Sequence, residues 1–158
     1  MTTLYETVVS RVKHALHMYD DGPDRFDELM RRRSARLMLP ADAAAGDATN
    51  YVLLKAETGL RLVSVDIAAA AVVTADADNY AILDLNKEDG AAGGLTSLDT
   101  TNTKTGEGGT LAARVPRSYS IAITDTLDAG EVLVLEVTKA GTGVVVTDLL
   151  VDIHYEVL

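Results

Sequence analysis

The sequence predicts a mainly β protein: a β-sandwich or jelly-roll-like antiparallel domain over residues 51–158, a helical N-terminal arm over 1–40, and a linker over 41–50. Three observations carry that expectation. After Tyr51 apolar and polar residues alternate, the period of a strand with one buried face. Turn residues interrupt the alternation about every eight to twelve positions, at Thr58-Gly59, 87–90, 128–130 and 141–143. Before Pro40, by contrast, apolar residues recur at spacings of three and four.

In the arm, Leu4, Tyr5, Val8, Val9, Val12, Leu16 and Tyr19 fall on one helical face. Thr3 and Glu6 have capping-box spacing at its start, and Gly22-Pro23 ends it. A second helix is expected over 24–39, with Phe26, Leu29, Met30 and Leu37 as its apolar stripe. Asp24, Asp27 and Glu28 precede Arg31, Arg32, Arg33 and Arg36, the order a helix dipole favours. Pro40 closes it, and the small, polar run ADAAAGDATN reads as a linker or surface arm.

Strands are expected at 51–56, 60–67, 71–75, 80–87, 110–114, 119–124, 131–139 and 144–157. The last has the clearest pattern, with Leu149, Val151, Ile153, Tyr155 and Val157 on one face and Asp148, Asp152, His154 and Glu156 on the other. A parallel sheet would need crossover helices, which this stretch lacks, so the strands suit a sandwich. The Gly- and Thr-rich stretch from Asp89 to Gly109 reads as a long exposed excursion between strands.

The chain of 158 residues is 47% apolar, without an apolar run of the ~20 residues needed to cross a bilayer. No membrane partner is expected. Its first residues lack a basic stretch followed by an apolar core, so cytoplasmic synthesis is expected. There is no cysteine, hence no disulfide framework and no thiolate. Residues 1–40 carry seven Lys/Arg against six Asp/Glu, and residues 41–158 carry seven against eighteen. Phosphate repulsion therefore disfavours nucleic acid as a partner of the larger part. Aromatics make up 4% and tryptophan is absent, which weakens a base-stacking platform or a sugar cleft.

The motifs that could carry chemistry fail on spacing. In TKTGEGGTL, residues 103–111, the lysine precedes the glycines, the reverse of a phosphate-binding P-loop, and a strand rather than a helix is expected to follow. His14 and His17, with Asp20 or Asp21, could share a metal but lack the glutamate and third ligand of known sites. His154 stands alone among acids. Asp76 and Asp78, or Asp125 and Asp128, could bind calcium, yet neither pair extends to a full acidic series, and turn aspartates commonly cap their own backbone. No nucleophile elbow occurs. The expectation is no enzyme, no catalytic residues, no cofactor and no metal. The Arg31–Arg36 cluster reads as a solvated or ion-pairing surface for an acidic partner.

Three runs, residues 72–90 (VVTADADNYAILDLNKEDG), 128–143 (DAGEVLVLEVTKAGTG) and 149–156 (LLVDIHYE), resemble structural proteins of tailed bacteriophages, in particular capsid decoration (cement) proteins and related head-fibre modules. The resemblance spans about residues 60–158. It implies a sandwich or jelly roll that trimerises on the outer face of a phage head, clamps neighbouring major capsid subunits and resides in the virion. The helical N-terminus departs from a minimal decoration module. An apolar-faced arm on a small acidic domain needs a surface to cover it, so the candidate capsid or subunit interface is Leu4, Tyr5, Val8, Val12, Leu16, Tyr19, Phe26, Arg31, Arg32, Arg33 and Arg36. The alternative is a glycan- or host-surface-binding module of a fibre, using exposed loops such as 95–110.

Overall fold

The computed structural model describes residues 31–41, 48–89, 94–141 and 144–158. Nine strands are described: β1 (Arg32–Leu39), β2 (Thr49–Lys55), β3 (Leu60–Ala69), β4 (Ala81–Glu88), β5 (Leu95–Asn102), β6 (Arg117–Ser118), β7 (Thr126–Leu127), β8 (Val132–Lys139) and β9 (Leu149–Val157). They build two sheets. One runs β1-β9-β3-β6, with β7 also paired to β3, and the other runs β2-β8-β4-β5. The mainly β expectation holds: two antiparallel sheets pack as a sandwich within the compact unit Arg33–Leu158.

Alternation places the core. Val65, Ile67 and Ala69 of β3 stand opposite Ile153, Val151 and Leu149 of β9, and their buried side chains meet Leu83, Leu85, Leu133, Leu135 and Val137 from the other sheet. Burying a leucine, isoleucine or valine in this way contributes about 1.5–3 kcal/mol each. Three bulges adjust the alternation. At Leu53 the shift lets both Leu53 and Leu54 pack on the core; at Val63 the extra residue is exposed; at Leu98 it turns a side chain of β5 inward.

The helix expected over 24–39 is corrected across its described part. Residues 32–39 form β1, whose Ala35, Leu37 and Leu39 pack inward while Ser34, Arg36 and Met38 are exposed. Arg, Ala, Leu and Met are good helix formers, but pairing beside β9 wins over propensity. The sandwich thus takes in residues 32–39 and begins a second strand at Thr49, within the span read as linker. The helix expected before Gly22 lies outside the described residues.

The excursion over 89–109 is also corrected, because Leu95–Asn102 is β5, paired with β4 along its length. The strands expected at 71–75 and 110–114 are reduced to isolated bridges: Val73↔Leu111 joins the two segments, and Ala113 bridges Ala69 at the end of β3. At 119–124 the chain leaves the sheet after Tyr119, whose amide bonds to Val65, and turns at Ala122–Asp125. The last strand starts at Leu149 rather than Val144.

Candidate functional site

The outward face of the β1-β9-β3-β6 sheet carries a row of charged side chains. Asp66 of β3 lies directly opposite Asp152 of β9 in the antiparallel register. Arg36 of β1 forms an ion pair with Asp152, and Ser118 of β6 donates its hydroxyl to Asp66. A shallow groove of about 280 Å³ runs beside this row, with Ala68, Leu150 and Pro116 among its lining residues. One step along, Ser64 stands opposite His154, and His154 Nε2 lies 3.7 Å from Asp152 Oδ1. No local motif signals this serine–histidine–aspartate row, because strand register alone brings Ser64 to His154. It is not assembled as a nucleophile: no hydrogen bond joins Ser64 to His154, and Arg36 holds the aspartate that would orient the imidazole.

The second feature is one end of the sandwich, where β3 and β8 finish and β4 and β9 begin. Loops over 70–80 and 103–116 and the described parts of 140–148 meet there. A groove of about 350 Å³ is lined by Val72–Asp76, Asn79, Val144 and Val145. Val72, Val115 and Val145 are each at least half exposed.

Polar groups at this end hold the loops in place. Asp76 Oδ1 accepts the amides of Asp78 and Asn79 at 2.8 and 2.7 Å. Those two bonds, Asn79's first, hold its carboxyl below the ordinary 3.8. The TKTGEGGTL stretch is a pinned turn. Asn102 Oδ1 accepts the amides of Lys104 and Gly108 at 3.0 Å each. Thr103 is buried and exchanges backbone and hydroxyl bonds with Ala81. Lys104 pairs with Glu107 at 2.7 Å and lies 5.5 Å from the centre of the Tyr80 ring. That hydrogen bond raises the lysine's pKa and lowers the glutamate's. Gly106 and Gly109 take positive φ, as such a turn needs. Its amides are thus spent on its own chain rather than aimed at a phosphate.

Arg117 buttresses the turn from behind, donating to Thr101 Oγ1 at 3.2 Å and to the carbonyls of Asn102, Gly109 and Thr110 at 3.0, 3.4 and 2.9 Å. Arg114 stands out beside it. It is the one non-glycine among the described residues with positive φ, 60°, and its amide bonds to the carbonyl of Ala69 at 2.7 Å.

Of the interface residues read from the sequence, Arg36 binds Asp152, and Arg31, Arg32 and Arg33 are exposed at the start of β1. Leu4, Tyr5, Val8, Val12, Leu16, Tyr19 and Phe26 lie outside the described residues, as do His14, His17, Asp20 and Asp21. Asp125 caps its own turn by accepting the Ala122 amide at 2.7 Å. Among the described residues, no three His, Asp or Glu side chains converge as metal ligands.

No protein-family model matches the chain, and no curated protein matches it. A chain in the structure of infectious bursal disease virus, Gx strain, is weakly similar in structure: 15% sequence identity over 81% of this chain and 37% of that one, with a TM-score of 0.33. This chain therefore spans 37% of the length of that viral chain. What the geometry can do is bind by shape, apolar contact and main-chain groups, on loops fixed by a rigid scaffold.

Proposed function

We propose that the protein is a virion structural protein that binds the outer surface of a phage capsid as a homotrimer and stabilises contacts between major capsid subunits. The observation that carries this reading is the strand order. β1-β9-β3-β6 facing β2-β8-β4-β5 is the order of a chain wound as a jelly roll, an architecture used by capsid and lectin domains. That is fold-level analogy, and it agrees with the decoration-protein resemblance of residues 60–158. Asp76, Asn102, Thr103 and Arg117 at the loop end bond to main-chain groups of that same end, while Val72, Val115 and Val145 are exposed, which supports the same reading. Bound copies would strengthen a shell through their affinity for the assembled state. The reading assigns the protein no reaction.

The test is to add purified protein to undecorated capsids of a phage that encodes it and sediment the mixture. Saturable co-sedimentation in multiples of three per site, with a raised temperature of capsid disruption, is expected. Absence of binding at micromolar protein, or equal retention on an unrelated capsid, would overturn the reading.

A further inference from the structure

We infer that the loop end of the sandwich is the surface through which copies of this chain associate, with Arg114 of one copy bound to the Asp76–Asn79 turn of the next through Asp78. This deepens the homotrimer reading and rests on it. Val72 and Val145 line the groove at the loop end and Val115 follows Arg114 in the chain, each at least half exposed. The same loops carry two exposed charges of opposite sign, Arg114 and Asp78. Among the described residues, neither the Arg114 guanidinium nor the Asp78 carboxylate has a hydrogen-bond or ion-pair partner.

Their placement explains why they do not meet within one chain. Arg114 is tied to the end of β3, in one sheet, through Ala69. Asp78 precedes β4, in the other sheet, and its carbonyl faces Gly141 at the end of β8. The two sheets of a sandwich lie about 10 Å apart. The loop end thus carries an exposed cation tied to one sheet and an exposed carboxylate tied to the other. A surface of that kind complements a rotated copy of itself, and each copy in a closed ring satisfies the next. An arginine among exposed apolar neighbours is also the residue type that dominates interface energetics. The left-handed backbone of Arg114 fits the same role, because strain at a single exposed residue persists where it presents a side chain.

The experiment is light scattering coupled to size exclusion on the full chain at a series of concentrations, for wild type, Arg114→Glu, Asp78→Arg, the double swap Arg114→Glu/Asp78→Arg, Val145→Asp, and Lys55→Glu as a charge-reversed control on an exposed residue at the opposite end of the sandwich. Circular dichroism melts on each variant check folding. The wild type is expected to be a trimer that weakens in high salt. Each single reversal and Val145→Asp should raise the dissociation constant at least tenfold, the double swap should restore assembly, and Lys55→Glu should leave it unchanged. A wild-type trimer that persists in folded Arg114→Glu and Val145→Asp would overturn this surface and leave the homotrimer reading standing. A wild type that stays monomeric across the series would overturn both. Loss of assembly in the singles without recovery in the double swap would refute the Arg114–Asp78 pairing.

Discussion

Asp66 and Asp152 occupy directly opposed positions on the antiparallel pair β3 and β9, two carboxylates on the same outward face. Like charges placed this way are destabilising. The fold relieves them from opposite flanks: Arg36 from β1 takes Asp152, and Ser118 from β6 takes Asp66. The row therefore fastens two short or edge strands to the central pair.

Asp66→Asn should raise stability at neutral pH by about 0.2–1 kcal/mol, because the amide oxygen still accepts from Ser118 while the repulsion is gone. Arg36→Ala should lower it by no more than about 1 kcal/mol, since the arginine is largely exposed. The loss on Arg36→Ala should be smaller in the Asp66→Asn background, a coupling that urea unfolding of the four proteins in the cycle would measure. Strict additivity would show that the two carboxylates do not sense each other.

Arg117 joins β6 to the end of β5 and to the pinned turn through four hydrogen bonds. A lysine cannot reproduce that fork. Both Arg117→Lys and Arg117→Ala should destabilise by about 1–3 kcal/mol, and hydrogen exchange at residues 103–111 should speed up more than at the centre of β8. Uniform acceleration across both would instead mean that Arg117 supports the whole sandwich and not the turn.

How much of this was legible in the sequence varied by element, for physical reasons. β3, β4, β8 and β9 carry long alternating apolar runs that bury one face, so period-two patterning found them. β5 reads LTSLDTTN, an edge strand with little to bury, and only pairing with β4 makes it a strand. β1 also alternates from Ser34 to Leu39, but the helical spacing before it and the ordered charges masked the change of period. The loop end was legible only in part. Asp76 and Asp125 behave as the turn caps their context suggests. The buttressing by Arg117 and the isolation of Arg114 and Asp78 follow from tertiary placement, which no local pattern encodes.

Two glycines should resist substitution. A Cβ on Gly108 would overlap the carbonyl oxygen of Asn102, and one on Gly141 would crowd Asp78 and Asn79 at a φ of 73°. Gly108→Ala and Gly141→Ala should each lower the thermal midpoint, by an amount corresponding to about 1–3 kcal/mol. Gly94→Ala is the control, since its added methyl would meet nothing within 4 Å. A Gly108→Ala protein as stable as that control would mean the turn shifts freely, contrary to its hydrogen bonds.

Tyr119 gives a pH dependence whose sign is fixed. Its ring is buried and its hydroxyl donates to the Leu83 carbonyl at 3.2 Å. Burial first, then the charges of Asp84 and Asp99, push the phenol well above its ordinary 10.0. A group whose folded-state pKa is raised stabilises fully below the unfolded value and loses that contribution as pH climbs past it. Wild type should therefore lose about 1.4 kcal/mol per pH unit above pH 10 from this one phenol. Tyr119→Phe should be less stable by about 1 kcal/mol at pH 8, through the lost hydrogen bond. The gap should narrow and then reverse as the pH is raised, because phenylalanine has no proton to lose. Denaturant unfolding of both proteins from pH 8 to 11.5, with the other five tyrosines common to both, reads the difference directly. Parallel curves would show that Tyr119 reaches solvent in the folded protein.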